Sequence, residues 1–379
     1  MRKLGNQCVS FFKKEAVFCI SVLLAFLSCF FVPPSAAYFS YIDWDTLALL
    51  FSLMAVMKGL QKANFFVCMA NLLLKRMATT RTMLFILVFL PFLFSMVITN
   101  DVALMAFVPF GLTILRIAGQ ERLAVPQVVL QTIAANLGSM LTPMGNPQNL
   151  YLYNRSAMGF GEFCALMLPY VLAAAACLAL AVVLIKPAPL AGISLSAALG
   201  KPKDVLCYAA GFGLCLLGVF KVLSPIAIAA AMVLILLVNN RKLLASVDYT
   251  LLGTFLAFFI FVGNVAEMEG FRNFLASVLE GRVELVSILA SQVISNVPAA
   301  LLLSGFTSQW RGLIIGCNFG GLGTLIASMA SLISYKMIAK EYPGQRKRYF
   351  RWFTLLNVCF LILLFLLFSL YSLIKFPGM

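Results

Sequence analysis

Apolar runs of helix length recur along almost the whole chain, and short polar or Pro/Gly breaks divide them. Residues 17–32 form the first run, stopped by Pro33 and Pro34; residues 46–57 begin the second, which ends at Lys58 and Lys62. Residues 63–74 are short and amphipathic and lead to Lys75, Arg76 and Arg81, a pattern that predicts a helix lying on a membrane surface. Residues 83–98 and 102–117 are two arms separated by Thr99-Asn100-Asp101, with basic residues beyond both ends. Each arm is barely long enough to span a bilayer. The pair therefore reads as a re-entrant hairpin at 83–117, its tip at membrane depth. Residues 125–157 form a span broken between Thr142 and Pro147, and 163–185 form the next full span. A linker rich in Pro, Gly and Ser covers 187–203, followed by spans at 205–220 and 225–238.

The pattern then recurs upside down. The stretch VDYTLLGTFLAFF from Val247 resembles WDTLALLFSLMAV from Trp44. Residues 271–279 mirror the surface helix, 283–306 the hairpin with Ser295-Asn296-Val297-Pro298 at its tip, and 313–338 the broken span. Residues 352–374 form the last helix. The predicted class is an all-α polytopic membrane protein: inverted-topology repeats with two re-entrant helical hairpins and two broken transmembrane helices. The parts are an N-terminal helix (1–44), repeat 1 (45–186), linker and scaffold helices (187–246), repeat 2 (247–350) and a C-terminal helix (351–379).

Composition agrees. Of 379 residues, 63% are hydrophobic and 11% charged, against about 25% charged in ordinary soluble domains. The net charge of +15 would suit nucleic acid, but the basic residues cluster in short loops, as the positive-inside rule requires. Only Arg155, Lys221, Arg272, Arg282, Arg311 and Lys375 of the 28 Lys and Arg fall outside in this topology. The N-terminus, with Arg2, Lys3, Lys13 and Lys14, is then cytoplasmic and the C-terminus outside. The VPPSAAY sequence could pass for a cleavage site, but an uncleaved first helix is expected. With no His in the chain, a His relay or His metal site is excluded, and the ten Cys have no paired metal or redox spacing.

The candidate chemistry lies in the breaks. Lipid cannot satisfy free backbone groups, so non-helical backbone at membrane depth must be buried in protein or line a wet cavity. Residues 99–149 hold two such breaks, at Thr99-Asn100-Asp101 and from Asn136 to Asn149; the second includes Gly138, Ser139, Thr142, Pro143, Gly145, Asn146 and Pro147. The second pair is at Ser295, Asn296 and Pro298, and at Asn318, Gly320, Gly321, Gly323, Thr324 and Ser328. Each break starts a half-helix whose N-terminus favours an anion and ends one whose carbonyls suit a hard cation. The glycines are expected to permit unusual backbone angles and close approach of a ligand, and the prolines to interrupt the helical ladder. No Lys or Arg lies in any break. Asp101 is the one acid at membrane depth, an expensive placement that marks a functional group. The competing reading is a helix cap; the same alternative applies to Asn100 and Asn296, while Thr324 and Ser328 could bond back to their own helix.

At these residues the sequence resembles the ion transporter superfamily: divalent anion:sodium symporters, citrate transporters, arsenite permeases and a class of Na+/H+ antiporters. The Ser-Asn-Thr motif of its carboxylate symporters is matched by Thr99-Asn100-Asp101 and Ser295-Asn296-Val297, and its Gly-Thr-Pro-Pro-Asn-like loop by Thr142 to Asn149. The resemblance covers most of 45–338. It implies a homodimer in the bacterial-type inner membrane, working by an elevator motion, with substrate and Na+ at the tips and breaks. Asn100, Asp101, Ser139, Asn296 and Asn318 are the expected Na+ positions. Asp101 in place of Thr looks more like the arsenite-permease and antiporter branches, Val297 lacks a hydroxyl, and Ala327-Ser328-Met329 lacks the second Pro-containing loop.

The expectation is cation-coupled transport of a small anion, with Na+ or H+ as coupling ion and no other cofactor. The alternatives are arsenite efflux or Na+/H+ exchange through Asp101, or a channel. An enzyme is not expected, since no general acid/base pair accompanies the one buried acid.

Overall fold

The computed structural model describes residues 15–74, 79–190 and 199–375. Arg2, Lys3, Lys13, Lys14, Lys75, Arg76 and the middle of the linker lie outside the described residues. Those described are helical, with no strand among them. Their helices are α1 (Ala16–Ser28), α2 (Trp44–Lys62), α3 (Phe65–Leu74), α4 (Thr80–Phe94), α5 (Asn100–Ile117), α6 (Ala124–Gly138), α7 (Pro147–Arg155) and α8 (Phe160–Val183). There follow α9 (Pro202–Val219), α10 (Pro225–Asn239), α11 (Tyr249–Glu267), α12 (Glu269–Leu279), α13 (Val283–Ile294), α14 (Asn296–Leu303), α15 (Trp310–Phe319), α16 (Met329–Glu341) and α17 (Arg346–Lys375), with single helical turns at Tyr38–Tyr41 and Arg241–Leu244 left unnumbered.

Five of these are long and apolar enough to cross a membrane, or six if the bent pair α2–α3 is one span. Their burial separates two populations. The α17 region is 22% buried over its most apolar window, whereas α5 is 61% buried. Leu355, Leu363, Leu366 and Leu370 of α17, like Leu206 of α9 and Leu234 of α10, lie on the outer surface. Large exposed apolar side chains are what lipid solvates and water does not. The protein is thus an integral membrane protein with several apolar helices.

The centre is α6. Every residue of it except Pro126 is buried, and α4, α5, α8, α16 and α17 all pack on it. A helix buried on all faces needs neighbours on all faces. A second packed group is α15 with α13, α14 and α7, while α9 and α10 flank α2, and α1 flanks α11.

Each helix that the polar breaks predicted to be interrupted is interrupted. α4 stops at Phe94 and α5 starts at Asn100; α6 stops at Gly138 and α7 starts at Pro147; α15 stops at Phe319 and α16 starts at Met329. Only Ser295 separates α13 from α14.

Several boundaries differ from expectation. α1 ends at Ser28, ahead of the prolines, because turns take over there. The last helix starts at Arg346 rather than 352. Helix α3 turns 58° from α2; its buried Phe66 meets Phe94 and Phe107 edge-on, while Met69 and Leu72 are exposed. α2 and α11 each have 19 residues, and each opens on an aspartate cap, with Asp43 accepting from the Thr46 amide and Asp248 from that of Leu251.

Long-range bonds join helix ends that the basic-residue count puts on one side. Lys62 Nζ donates to Ser246 Oγ (2.8 Å), the Thr80 amide to the Ala188 carbonyl (2.9 Å), and Arg116 pairs with Glu341. On the other face Arg311 pairs with Glu162 (2.7 Å) and Asn154 donates to Thr46 Oγ1 (3.0 Å).

Candidate functional site

The four breaks meet in one buried polar seam. Asn136, in the last turn of α6, is its hub. Its Oδ1 accepts from Asn100 Nδ2 (2.9 Å) at the first tip and from Ser328 Oγ (3.1 Å) before α16. Its Nδ2 reaches the Gly321 carbonyl (3.5 Å) and Ser331 Oγ (3.4 Å). One amide thus ties the first tip, the first broken helix and the second break together.

A second junction lies between α7 and α15. Asn318 Nδ2 donates to Asn149 Oδ1 (2.7 Å), and Asn146 Nδ2 reaches Asn318 Oδ1 (3.4 Å) and Ser139 Oγ (3.2 Å). Asn146 also caps α7, accepting from the Asn149 amide (3.0 Å), with Pro147 at the first helical position, where no N–H is needed. Thr142 Oγ1 donates to the Met96 carbonyl, joining this break to the first tip. At the other end the Asn296 amide donates to the Ala327 carbonyl (2.9 Å), with Ser295 Oγ reaching the same oxygen (3.4 Å).

Much of this polarity is internal glue. Asn149 Nδ2 covers the Ser139 and Thr142 carbonyls, and Ser139 Oγ the Asn136 carbonyl. Buried backbone groups demand partners, so several of the carbonyls expected to hold a cation are already bonded. The helix starts are more open. Thr99, Ser295 and Ser328, the residues before α5, α14 and α16, make no side-chain cap bond.

Asp101 stands apart. It lies in the first turn of α5, where the helix field favours a carboxylate, yet its Oδ1 is sealed from solvent and has no hydrogen-bond partner. It lines a cavity of about 60 Å3 that also exposes Lys58, Thr99, Asn146, Pro147 and Asp248. A larger cavity of about 1060 Å3 opens on the opposite face, bordered by Asp43, Asp45, Tyr151, Arg155 and Lys221. Burial pushes the Lys221 ammonium below its ordinary value; it sits 4.5 Å over the Tyr153 ring and donates to the Met158 carbonyl (3.2 Å).

Of Gly138, Gly145, Gly320, Gly321 and Gly323, only Gly323 has the expected positive φ, +105°. Gly138 allows close approach of protein: a Cβ there would strike the Phe92 carbonyl and the Ser95 hydroxyl. The strained residue is Ser295, at φ 75° and ψ 153°, a region that L side chains rarely adopt, at a cost of about 1–3 kcal/mol. Ser295→Gly should raise thermal stability in detergent by a like amount; an unchanged Tm would show that the tip carries no stored strain.

A comparison of families decides the identity. Residues 3–308 match the family model described as citrate transporter. The chain belongs to the citrate transporter family. It is similar to inner membrane protein YbiR of Escherichia coli, 32% identical over 336 residues, covering 85% of this chain and 88% of that one. It is also similar to transporter MJ0456 of Methanocaldococcus jannaschii, 32% identical over 302 residues, 79% of this chain and 82% of that one. The silicon efflux transporter LSI3 of rice is 33% identical over 136 residues, 36% of this chain and 27% of that one. The role is therefore transport, as the ion transporter superfamily resemblance implies.

For a citrate transporter family member, the sequence reading missed three organisers of the seam. Gln131 Nε2 bonds the Leu87 and Phe107 carbonyls (2.9 and 3.1 Å), one in α4 and one in α5. Gln292 Nε2 bonds the Gly320 and Leu322 carbonyls (3.0 and 2.9 Å), while its Oε1 accepts from the Thr324 amide (2.9 Å). Ser331 is the third. A glutamine inside an apolar run, close before a break in each half, was the signal available.

Proposed function

We propose that this protein is a secondary active transporter in the inner membrane that moves a small anion, of the di/tricarboxylate or inorganic type, coupled to Na+ or H+. The observation that carries this reading is the seam itself. Helices α14 and α16 begin at it without side-chain caps, no Lys or Arg lies in the breaks, and one carboxylate stands beside it. Uncapped helix N-termini attract anions, and a lone buried carboxylate attracts a cation. Bound together, the two neutralise each other, which is the physical basis of coupling.

The packing of the interrupted helices supports re-entrant hairpins at α4–α5 and α13–α14, broken spans at α6–α7 and α15–α16, and inverted repeats led by α2 and α11. In this reading the hairpins and broken spans move as one body against a scaffold, with the lipid-facing helices supplying the contacts of a homodimer. The N-terminus is cytoplasmic and the C-terminus outside.

A second reading has one observation in its favour. The unpartnered Asp101 Oδ1, with a rice relative named for silicon efflux, suits efflux of a neutral hydroxo acid such as arsenite, or Na+/H+ exchange through Asp101.

Currents from purified protein in liposomes on a supported membrane separate the two. Succinate, citrate, sulfate and arsenite are added in turn, first with Na+ and then with only a pH gradient. A cation-dependent current with a carboxylate or sulfate is the expected result. Silence toward all these anions, with cation-driven pH changes, moves the protein to the exchanger reading. A steady ohmic current without any gradient coupling makes it a channel.

A further inference from the structure

The start of α17 carries charge that its own helix does not favour. Residues 336–351 hold six basic side chains, Lys336, Lys340, Arg346, Lys347, Arg348 and Arg351, against one acid, Glu341. Arg346, Lys347 and Arg348 open α17, whose first turn has no acid, although the positive end of a helix disfavours cations. Glu341 is taken up by Arg116, which also lies 3.6 Å from Glu121. Arg346 is held in the fold, its guanidinium donating to the Ala339 carbonyl near the end of α16 (3.2 Å). Among the described residues Lys336, Lys340, Lys347, Arg348 and Arg351 form no ion pair, and all five are exposed.

The same helix continues these charges into an apolar stripe. Its inward face is closed: Tyr349, Phe353, Phe360 and Leu364 are buried, and α6, α8, α15 and α16 pack against the helix. Its outward face carries Arg348, Trp352, Leu355, Ile362, Leu366 and Leu370, all exposed. They follow one another at the three-, four- and seven-residue steps that keep one side of a helix, and Arg351 borders them. Trp352 to Ile362 covers about 15 Å at 1.5 Å per residue, half of a hydrocarbon core of about 30 Å, so the stripe matches the depth of one leaflet. An exposed Trp between charge and apolar surface is where an amphipathic indole sits at a membrane interface. The positive-inside rule asks for basic residues on this side of the membrane; it does not ask that they head a lipid-facing stripe.

We propose that the start of α17 binds the headgroup of an anionic phospholipid of the cytoplasmic leaflet, whose acyl chains lie along the stripe. Arg348 and Arg351 take the phosphodiester, because the guanidinium fork matches phosphate oxygens. Lys347, with Lys336 and Lys340 of the neighbouring α16, supplies the surrounding field that favours a net negative headgroup over a zwitterionic one. Cations that repel one another and the helix end become favourable once an anion sits among them. The leaflet follows from the orientation proposed above; the binding itself needs neither that orientation nor any particular substrate or coupling ion.

Tryptophan quenching reads the site directly, since Trp44→Phe and Trp310→Phe leave Trp352 as the only Trp in the chain. Full-length protein of this background is reconstituted in phosphatidylcholine vesicles with a minor fraction of brominated phosphatidylglycerol or, in parallel, of brominated phosphatidylcholine. Brominated phosphatidylglycerol should quench Trp352 beyond its mole fraction, an enrichment of about tenfold. Lys347→Gln/Arg348→Gln/Arg351→Gln should bring it down to that of phosphatidylcholine, since each basic group beside a headgroup changes affinity about fivefold. The same number of charges removed elsewhere on that side, in Lys201→Gln/Lys203→Gln/Lys242→Gln, should leave the enrichment intact. Equal losses in the two triple variants would reduce the effect to general surface charge and overturn the site. Equal quenching by the two lipids in the unaltered cluster also overturns it, as does displacement of the lipid by inorganic phosphate, which has no acyl chain to fill the stripe. A dimer that dissociates in the Lys347/Arg348/Arg351 variant, with the phosphatidylglycerol enrichment unchanged, gives the face to a second copy of the chain instead. Native mass spectrometry of the wild type in detergent with added phosphatidylglycerol or phosphatidylcholine counts the retained lipid with all three Trp in place, and no preference for phosphatidylglycerol there overturns the site as well.

Discussion

Asp101→Asn should abolish cation-coupled transport and leave a folded, membrane-inserted protein. The substitution keeps the shape and removes the charge. Asp101 Oδ1 makes no hydrogen bond, so no internal bond to it is lost. What the fold gives up is the favourable placement of a carboxylate in the first turn of α5, worth about 0.3–1 kcal/mol. Removing the charge from a cavity in a membrane protein also relieves a desolvation cost, so the net change in stability should be small. The functional change is large because no second carboxylate lies in any of the four breaks. Flux into proteoliposomes, driven by a Na+ or pH gradient and compared with the gradient collapsed, reads the effect. Gradient-driven flux should fall by on the order of a hundredfold, the weight of one charge–charge contact of a few kcal/mol. Normal coupling together with a lowered Tm would return Asp101 to the role of a helix cap.

The interruptions in the chain were legible in the sequence because apolar runs and Pro/Gly punctuation carry them directly. Pro147 after Asn146, and Asn100 and Asn296 at the tips, mark helix starts in the structure at or beside those residues. The direction of hydrogen bonds was not legible. Asn146, Asn149, Ser139 and Thr142 stood out as ligand candidates because so much polarity in an apolar chain needs a reason. The reason the structure supplies is largely local: these side chains satisfy carbonyls and amides freed by their own break. A break at membrane depth needs such partners whether or not it binds anything, so composition alone cannot separate the two. Lys58 and Asp248 escaped notice for a different cause. They sit at helix ends, where charges are ordinary, and only the fold brings those ends to Asp101. The caps at Asp43 and Asp248 likewise fix helix starts more sharply than a hydrophobic pattern can.

Asn136→Ala should be the most damaging single change in the seam. The amide bonds across three segments that are distant in sequence, to Asn100, to Ser328 and Ser331, and to the Gly321 carbonyl. Truncation strands the Asn100 amide and the Ser328 hydroxyl in a region closed to water, since Asn100, Asn136 and Ser328 are all buried. Each buried polar group left without a partner costs about 1–3 kcal/mol, so the loss should reach about 2–6 kcal/mol before any contribution from the void. The Asn100 side chain also accepts from the Asp101 amide (2.9 Å), so releasing it loosens the start of α5, and with it the aim of the one free carboxylate. Transport should therefore fall with stability. Asn136→Asp separates these effects. It keeps the Oδ1 acceptor for Asn100 and Ser328 but forfeits the two donations to Gly321 and Ser331 and adds a second buried charge near Asp101. Thermal melts of the two variants, alongside uptake at saturating substrate, should place Ala as the less stable and Asp as the more altered in its cation dependence. Equal loss of uptake with unchanged Tm in both would mean that Asn136 contacts the substrate directly rather than holding the seam together.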